Sequence, residues 1–241
     1  MRVSMAPSIR VTVIFAFLWL LTWASKECEA STKIVFPPSD NKSFPRLVMV
    51  GTLPTLREFT LCYWFKVHRL DRRLHIFSYA HESQANEIVS FIDDEVVGIA
   101  VSDGANLQVS CPYYLRPGKW HHICYFWSSW EGEASLIIDN FGCHGNKTGM
   151  AKGTKIRPKG VVVVGQDQDK PGAGFVVDDS FEGEVSELHF WDSALRSEQA
   201  LRLYKFADKS EEHLQGNLIR WVKTPFHVYD GVIVSSNENF E

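Results

Sequence analysis

The chain has 241 residues, 45% of them hydrophobic, with 25 basic and 29 acidic residues and a net charge of −4. That content suffices for the core of one sizeable domain. The acidic balance, with no lysine–arginine run, excludes general nucleic-acid binding. Five cysteines without a C-x-x-C spacing argue against a structural zinc site.

The first segment stands apart. Arg2 and Arg10 belong to a basic start, 11–23 is apolar, and small residues follow. This is the pattern of a secretory signal peptide over 1–24, with cleavage as late as residue 30 the alternative. Its removal takes two arginines and no acid, which moves the net charge to −6. No later stretch is apolar enough to cross a bilayer. The mature chain is therefore expected to be a secreted, extracellular single domain over 31–241. Cys28 is lost if cleavage follows Ala30; otherwise it is free or joins two chains. Cys62, Cys111, Cys124 and Cys143 form an even set, and the sequence leaves their pairing open.

In chain order, 33–38 (KIVFPP) reads as a strand stopped by two prolines, and 46–50 (RLVMV) as a second. Between them Asn41-Lys42-Ser43 is a glycosylation acceptor. Over 59–67 the alternation is clean. Phe59, Leu61, Tyr63, Phe65 and Val67 face one way, and Thr60, Cys62, Trp64 and Lys66 the other. Short strands follow at 74–80, 87–92, 96–101 and 107–110, separated by Asp93-Asp94 and Asp103-Gly104. Pro117-Gly118 turns the chain into 120–130, and 134–139 (ASLIID) is another strand. Asn146-Lys147-Thr148 is a second glycosylation acceptor. One helix is predicted, capped by Ser197 and running over 198–206, with Ala200, Leu201, Leu203, Tyr204 and Ala207 as its buried stripe. Strands are expected again at 217–221 and 228–234. Many short strands with a single surface helix indicate an all-β, antiparallel β-sandwich.

The chemistry concentrates in 165–179, GQDQDKPGAGFVVDD. Asp167, Asp169, Asp178 and Asp179 fall within this stretch, with Gln168 as a further oxygen donor, and Pro171, Gly172 and Gly174 mark it as a loop. So many carboxylates repel one another unless a cation, water or basic neighbours offset the charge. Calcium suits such a set, because it takes 6–8 oxygens from carboxylates, amides and carbonyls in flexible geometry. The spacing imitates an EF-hand, but the β-branched run at 161–164 and the flank at 181–191 are not helices. A strand–loop–strand with oxygens at its tip fits better.

At 120–130, WHHICYFWSSW, the chain resembles the pentraxin family, whose signature is H-x-C-x-[S/T]-W-x-[S/T]. His122, Cys124, Trp127 and Ser129 match it, while Phe126 stands where a small hydroxyl is expected. FSYA…NEI at 77–88, the GQDQD loop, Trp191-Asp192, the helix after Leu195 and 217–221 follow in the family's order. The resemblance, to pentraxins of invertebrate type, runs from Lys33 to the C-terminus. It implies a jelly-roll, concanavalin-like sandwich assembled as a cyclic homo-oligomer, with a calcium face opposite a helix face. It implies Cys62–Cys124 as a bridge between strands, leaving Cys111–Cys143 as the second pair. His122 and Trp127 are read as scaffold.

Carried over residue by residue, the resemblance makes Asn86, Asp167, the carbonyl of Gln168, Asp169 and Asp179 calcium ligands, with Asp178 adjacent. Ala85 and Val176 stand where the family carries acids, which predicts one retained site and a second that is weak or absent. The ligands implied are phosphocholine- or phosphoethanolamine-like headgroups, or anionic and sialylated glycans. Phe91 takes the aromatic position near a choline, and Asn106 the position of its acid. The expected role is calcium-dependent, lectin-like recognition of microbial surfaces in innate immunity, not catalysis. Two alternatives use the same sandwich. One is a glycoside hydrolase, since Glu182-x-Glu184-x-x-Glu187 approximates an E-x-D-x-x-E pattern, with Glu182 and Glu187 as its carboxylates. The other is a laminin-G-like adhesion module.

Overall fold

Alternating apolar residues at a period of two give each strand one core face, and here they build two sheets. The computed structural model describes residues 31–93, 95–102, 108–147, 149–205 and 214–237, without the side chains of 31, 108, 141–147, 205 and 237. The predicted leader with Cys28 lies outside the described residues, as does Asn106. The strands are β1 (Ser31–Phe36), β2 (Arg46–Met49), β3 (Glu58–Val67), β4 (Leu74–His81), β5 (Gln84–Asp93), β6 (Val96–Val101) and β7 (Gln108–Pro112). They continue as β8 (Trp120–Ser128), β9 (Glu133–Ile138), β10 (Phe141–Lys147), β11 (Val161–Val164), β12 (Gly183–Trp191), β13 (Phe226–Tyr229) and β14 (Ile233–Asn237), with helix α1 at Ser197–Lys205.

One sheet has the order β10-β9-β8-β3-β12-β1-β14 and the other β13-β2-β11-β4-β5-β6-β7, with antiparallel pairing between neighbouring strands. The two face each other as the predicted jelly-roll sandwich, with one helix outside. Phe190 stacks on Phe59 at 5.2 Å and on Phe77 at 5.7 Å, tying the sheets together in the core. The alternation expected in β3 holds: Phe59, Leu61, Tyr63, Phe65 and Val67 enter this core, whereas Cys62 belongs to a second cluster on the outer face.

That outer cluster explains the helix. Cys62 and Cys124 lie directly opposite in the β3–β8 register and form a disulfide with an S–S length of 2.05 Å. Ala200 and Leu203 of α1 cover it together with Trp191 and Leu195, and Tyr204 stacks on Trp64 with ring centroids 5.6 Å apart. The helix starts at Ser197 itself, one residue earlier than predicted, and the Arg196 N–H donates to Gln199 Oε1 at 3.0 Å. Phe206 and Ala207 lie outside the described residues.

Two expectations are corrected. The segment 217–221 is not a strand; Ile219 makes a single bridge to Phe190, and its apolar pattern comes from Ile219 and Trp221 packing into the core. The segment 228–234 is not one strand but the end of β13, a turn and the start of β14. Asp230 and Gly231 carry the positive φ of that turn (56° and 82°). The flank at 181–191 is, as expected, no helix; its apolar residues alternate irregularly because β12 carries a β-bulge between Ser186 and His189, where Glu187 adopts φ 48°.

Candidate metal centre

The acidic loop leaves β11 at Val164 and turns at Gly165. Its φ is +96°, and a Cβ there would come within 2.5 Å of the Phe36 ring. The Gly165 N–H donates to the Ile76 carbonyl at 2.8 Å, fixing the start of the loop to β4. From there two buried glutamines hold it down. Gln166 Nε2 donates to the Pro45 carbonyl (3.0 Å), its Oε1 accepts from Ser180 Oγ (2.7 Å), and its carbonyl accepts from Ser78 Oγ (2.7 Å). Gln168 Nε2 donates to Ser78 Oγ (2.9 Å) and to the Val161 carbonyl (3.1 Å), and its Oε1 accepts from the Gly172 N–H (2.7 Å). The Gln168 amide is thus fully used in structure, which leaves its backbone carbonyl as the oxygen able to serve a cation. Gln166 is the residue that sequence reasoning missed. Its signal was the Gln-x-Gln spacing, which puts both amides on the buried side.

The acids point the other way. Asp169 is exposed and Asp167 half-buried. Lys170 and Ala173 exchange N–H···O bonds of 3.1 and 2.9 Å, closing the tip. Gly174 (φ +78°) sits so close that a Cβ would lie 2.7 Å from Asp169 Cβ. Asp178 and Asp179 occupy a single 3-10 turn at Val177–Asp179; Asp178 is exposed. His75 Nδ1 lies 3.1 Å from the Asp179 carbonyl and 3.7 Å from its carboxylate. Asn86, half-buried, stands near the start of β5, the strand beside the Ser78 strand that anchors Gln168. Its neighbour Glu87 is no ligand candidate: fully buried, it pairs with the Arg157 guanidinium and accepts from the Arg157 N–H at 3.3 Å.

Two observations test whether a cation fits. Asp167 Oδ1 is buried and receives no hydrogen bond, so this oxygen has given up water without a protein donor in its place. No Lys, Arg or His side chain among the described residues pairs with Asp167, Asp169 or Asp178. No three His, Cys, Asp or Glu side chains among the described residues form a ready metal cluster. The oxygens this loop offers are those of aspartates, amides and carbonyls, hard donors of the kind that suits calcium better than zinc.

Phe91 lies on β5, opposite His75 of β4 and Gly98 of β6. It is 4% exposed, and the Arg73 guanidinium sits over its ring, 4.4 Å from the centroid. Asn41 is exposed in a turn closed by Asp40 and Ser43, a position open to a glycan. The backbone of Asn146 lies on β10, and its side chain is outside the described set. Cys111 is in a disulfide; the side chain of its predicted partner Cys143 is likewise outside the described set.

The acids of the hydrolase alternative each lie beside a basic side chain. Glu182 lies 3.3 Å from Arg69 and 3.9 Å from Arg72. Glu187, in the bulge, lies 3.5 Å from His189. Glu184 lies 2.7 Å from Lys33 and 2.6 Å from Lys66. Burial alone would raise its carboxyl, but the two lysines outweigh it and hold the group below the usual carboxylate range. Glu184, between the two named carboxylates, therefore lacks the raised carboxyl that a glycosidase acid requires.

Known proteins agree with this architecture. A model of the Pentaxin family matches residues 33–236. C-reactive protein 1.1 of Limulus polyphemus is 49% identical over 239 residues, 99% of each chain, and C-reactive protein 3.3 of the same animal is 48% identical over the same span and coverage. The crystal structure of a native heptameric SAP-like pentraxin from Limulus polyphemus superposes with a TM-score of 0.78 at 33% identity, over 87% of this chain and 96% of that one. Among the described residues no helix is long and apolar enough to cross a membrane. Sandwich, strand-to-strand disulfide, covering helix and full-length similarity lead to one conclusion: the chain belongs to the pentraxin family.

Proposed function

We propose that this pentraxin is a secreted recognition protein of innate immunity that binds phosphorylated headgroups or anionic, sialylated glycans through calcium. Asn86, Asp167, Asp169, Asp179 and the Gln168 carbonyl would hold the ion, with Asp178 at the rim. The observation that carries this is the buried, donorless Asp167 Oδ1 in a loop whose glutamine amides are already satisfied by the protein. A calcium ion bound there supplies positive charge and open coordination to a phosphate or carboxylate oxygen of the target. The residues contribute position: Gln166, Gln168 and Ser78 fix the loop before any ligand arrives, so little ordering entropy remains to be lost on binding. With Ala85 and Val176 carrying no carboxylate, one site is retained and a second is weak or absent.

Single contacts of this kind are weak, and ring assembly makes them effective. The related Limulus pentraxin is heptameric; a cyclic homo-oligomer of this chain would present its calcium faces together. Avidity then exceeds single-site affinity by roughly 10²–10⁴. The test is binding to arrays of phospholipid headgroups and sialylated glycans in 2 mM calcium and in EDTA, in the order of ~10⁻³ M that extracellular modules require. Capture in calcium that vanishes in EDTA is expected. Equal capture in both overturns the mechanism.

A further inference from the structure

We propose that Arg73 sets the ligand class of this site, selecting targets whose second group is anionic and rejecting quaternary ammonium groups. The inference rests on the calcium-dependent recognition proposed above and concerns what lies beside the ion. Phe91 is linked to the end of the loop through its cross-strand partner, since His75 touches Asp179. An open aromatic face attracts cations. Here that face is taken: the Arg73 guanidinium lies over the ring, 4.4 Å from its centroid. The ring also lies against Gly98, where a Cβ would come within 2.4 Å of Phe91 Cζ, so only glycine leaves it this position.

Arg73 is itself exposed, and no described carboxylate pairs with it. Its fork of N–H donors is therefore open to solvent above Phe91, a geometry suited to a carboxylate or phosphate. A trimethylammonium group arriving there meets a like charge on the surface it would need. A carboxylate meets a donor pair.

Two probes that share a phosphate and differ in the second charge separate these cases: phosphocholine and phosphoglycolate, titrated calorimetrically into the full chain in 2 mM calcium and in EDTA, at a concentration where millimolar extracellular sites fill. Wild type is expected to prefer phosphoglycolate. Arg73→Gln should lose phosphoglycolate affinity and gain phosphocholine affinity, each by about 2–30-fold, the span of one cation–aromatic contact. Arg73→Lys, which keeps the charge, should retain the wild-type order. If both probes bind only in calcium but Arg73→Gln leaves their ratio unchanged, the Arg73 assignment is overturned and the calcium mechanism stands. If neither binds, or both bind equally in EDTA, the calcium mechanism falls and the Arg73 assignment falls with it.

Discussion

His122 offers a pH test of how the helix face is built. Its ring is 4% exposed, wedged 5.1 Å from Trp64 and 5.9 Å from Tyr204, with Nε2 4.0 Å from Cys124 Sγ. Burial pushes its pKa down from 6.5 to about 3, against the opposing charge of Asp139 and with a small addition from His189. Below pH 6.5 the unfolded chain takes up a proton that the folded chain refuses, so stability falls as pH falls, at about 1.4 kcal/mol per unit until the folded value is reached. Between pH 7 and pH 5 this amounts to about 2 kcal/mol, and by pH 3 to about 4. For a chain of this size 2 kcal/mol lowers Tm by about 4–8 °C. The assay is thermal unfolding followed by circular dichroism at pH 7, 6 and 5, in EDTA so that calcium linkage is absent, for wild type and His122→Gln. The variant is less stable throughout, since an amide replaces a packed ring, but its pH slope over this window should be shallower by that amount. Equal slopes would mean that His122 is protonated in the folded chain and that its aromatic enclosure is looser than described.

Further perturbations follow the same logic. Burial would raise the Asp139 carboxyl, but His121 Nδ1 at 2.5 Å, the His122 N–H and the Tyr113 hydroxyl outweigh it and hold the group low. Its stabilisation is present above the ordinary carboxylate value and lost as pH falls through the depressed one. Asp139→Asn should therefore cost about 2 kcal/mol at pH 7 and flatten acid unfolding below about pH 4 in urea titrations. Arg157→Met leaves Glu87 charged and buried with one N–H donor. Because Arg157 is 46% exposed and water can enter in its place, the cost should be about 2 kcal/mol, below the 3–5 of a fully buried pair. Adding Glu87→Gln should recover part of that loss in denaturant midpoints. Calcium at 2 mM should raise the wild-type Tm by about 1–7 °C if the site binds with Kd near 10⁻⁴–10⁻³ M. Asp167→Asn should abolish that shift and match or exceed wild-type stability in EDTA, because it removes the donorless charge.

What the sequence disclosed tracks the range of each interaction. The faces of β3 were legible because a period of two needs only nearest neighbours in the chain. The acids of 165–179 were legible because charge density and glycine are local properties. The bulge at Glu187 was not, since one inserted residue reverses the alternation after it and looks like noise. The strand expected over 228–234 ignored the Asp230-Gly231 turn, whose signal was present and outweighed by the valines and isoleucine around it. In the site, the anchors are distant partners: Gln166 to Pro45 spans 121 positions and Gln168 to Ser78 spans 90. Arg73 over Phe91 was invisible for the same reason. An aromatic residue read alone suggests a cation receptor, and only the folded chain supplies the cation that occupies it.

The treatment of acids across the sandwich gives the calcium mechanism its strongest support. Where this chain buries carboxylates for structure, it pairs them: Glu87 with Arg157, Asp139 with His121, Glu182 with Arg69, Glu184 with two lysines. In the loop after β11 it uses neutral partners instead. Amides and hydroxyls from Gln166, Gln168, Ser78 and Ser180 set the backbone, and Asp167 and Asp169 receive no described cation. A fold stabilised only by its own contacts would gain from a lysine there, as β12 does beside Glu184. Leaving negative charge uncompensated on a rigid frame lowers stability without ion and raises affinity for one. On the proposed reading, Ala85 and Val176 in place of two of the family's acids would make that cost smaller and would weaken the second site most. The account is consistent only if target capture depends on many protomers acting together: a monomeric form of this chain should bind its ligands through calcium yet fail to hold a surface that the ring retains.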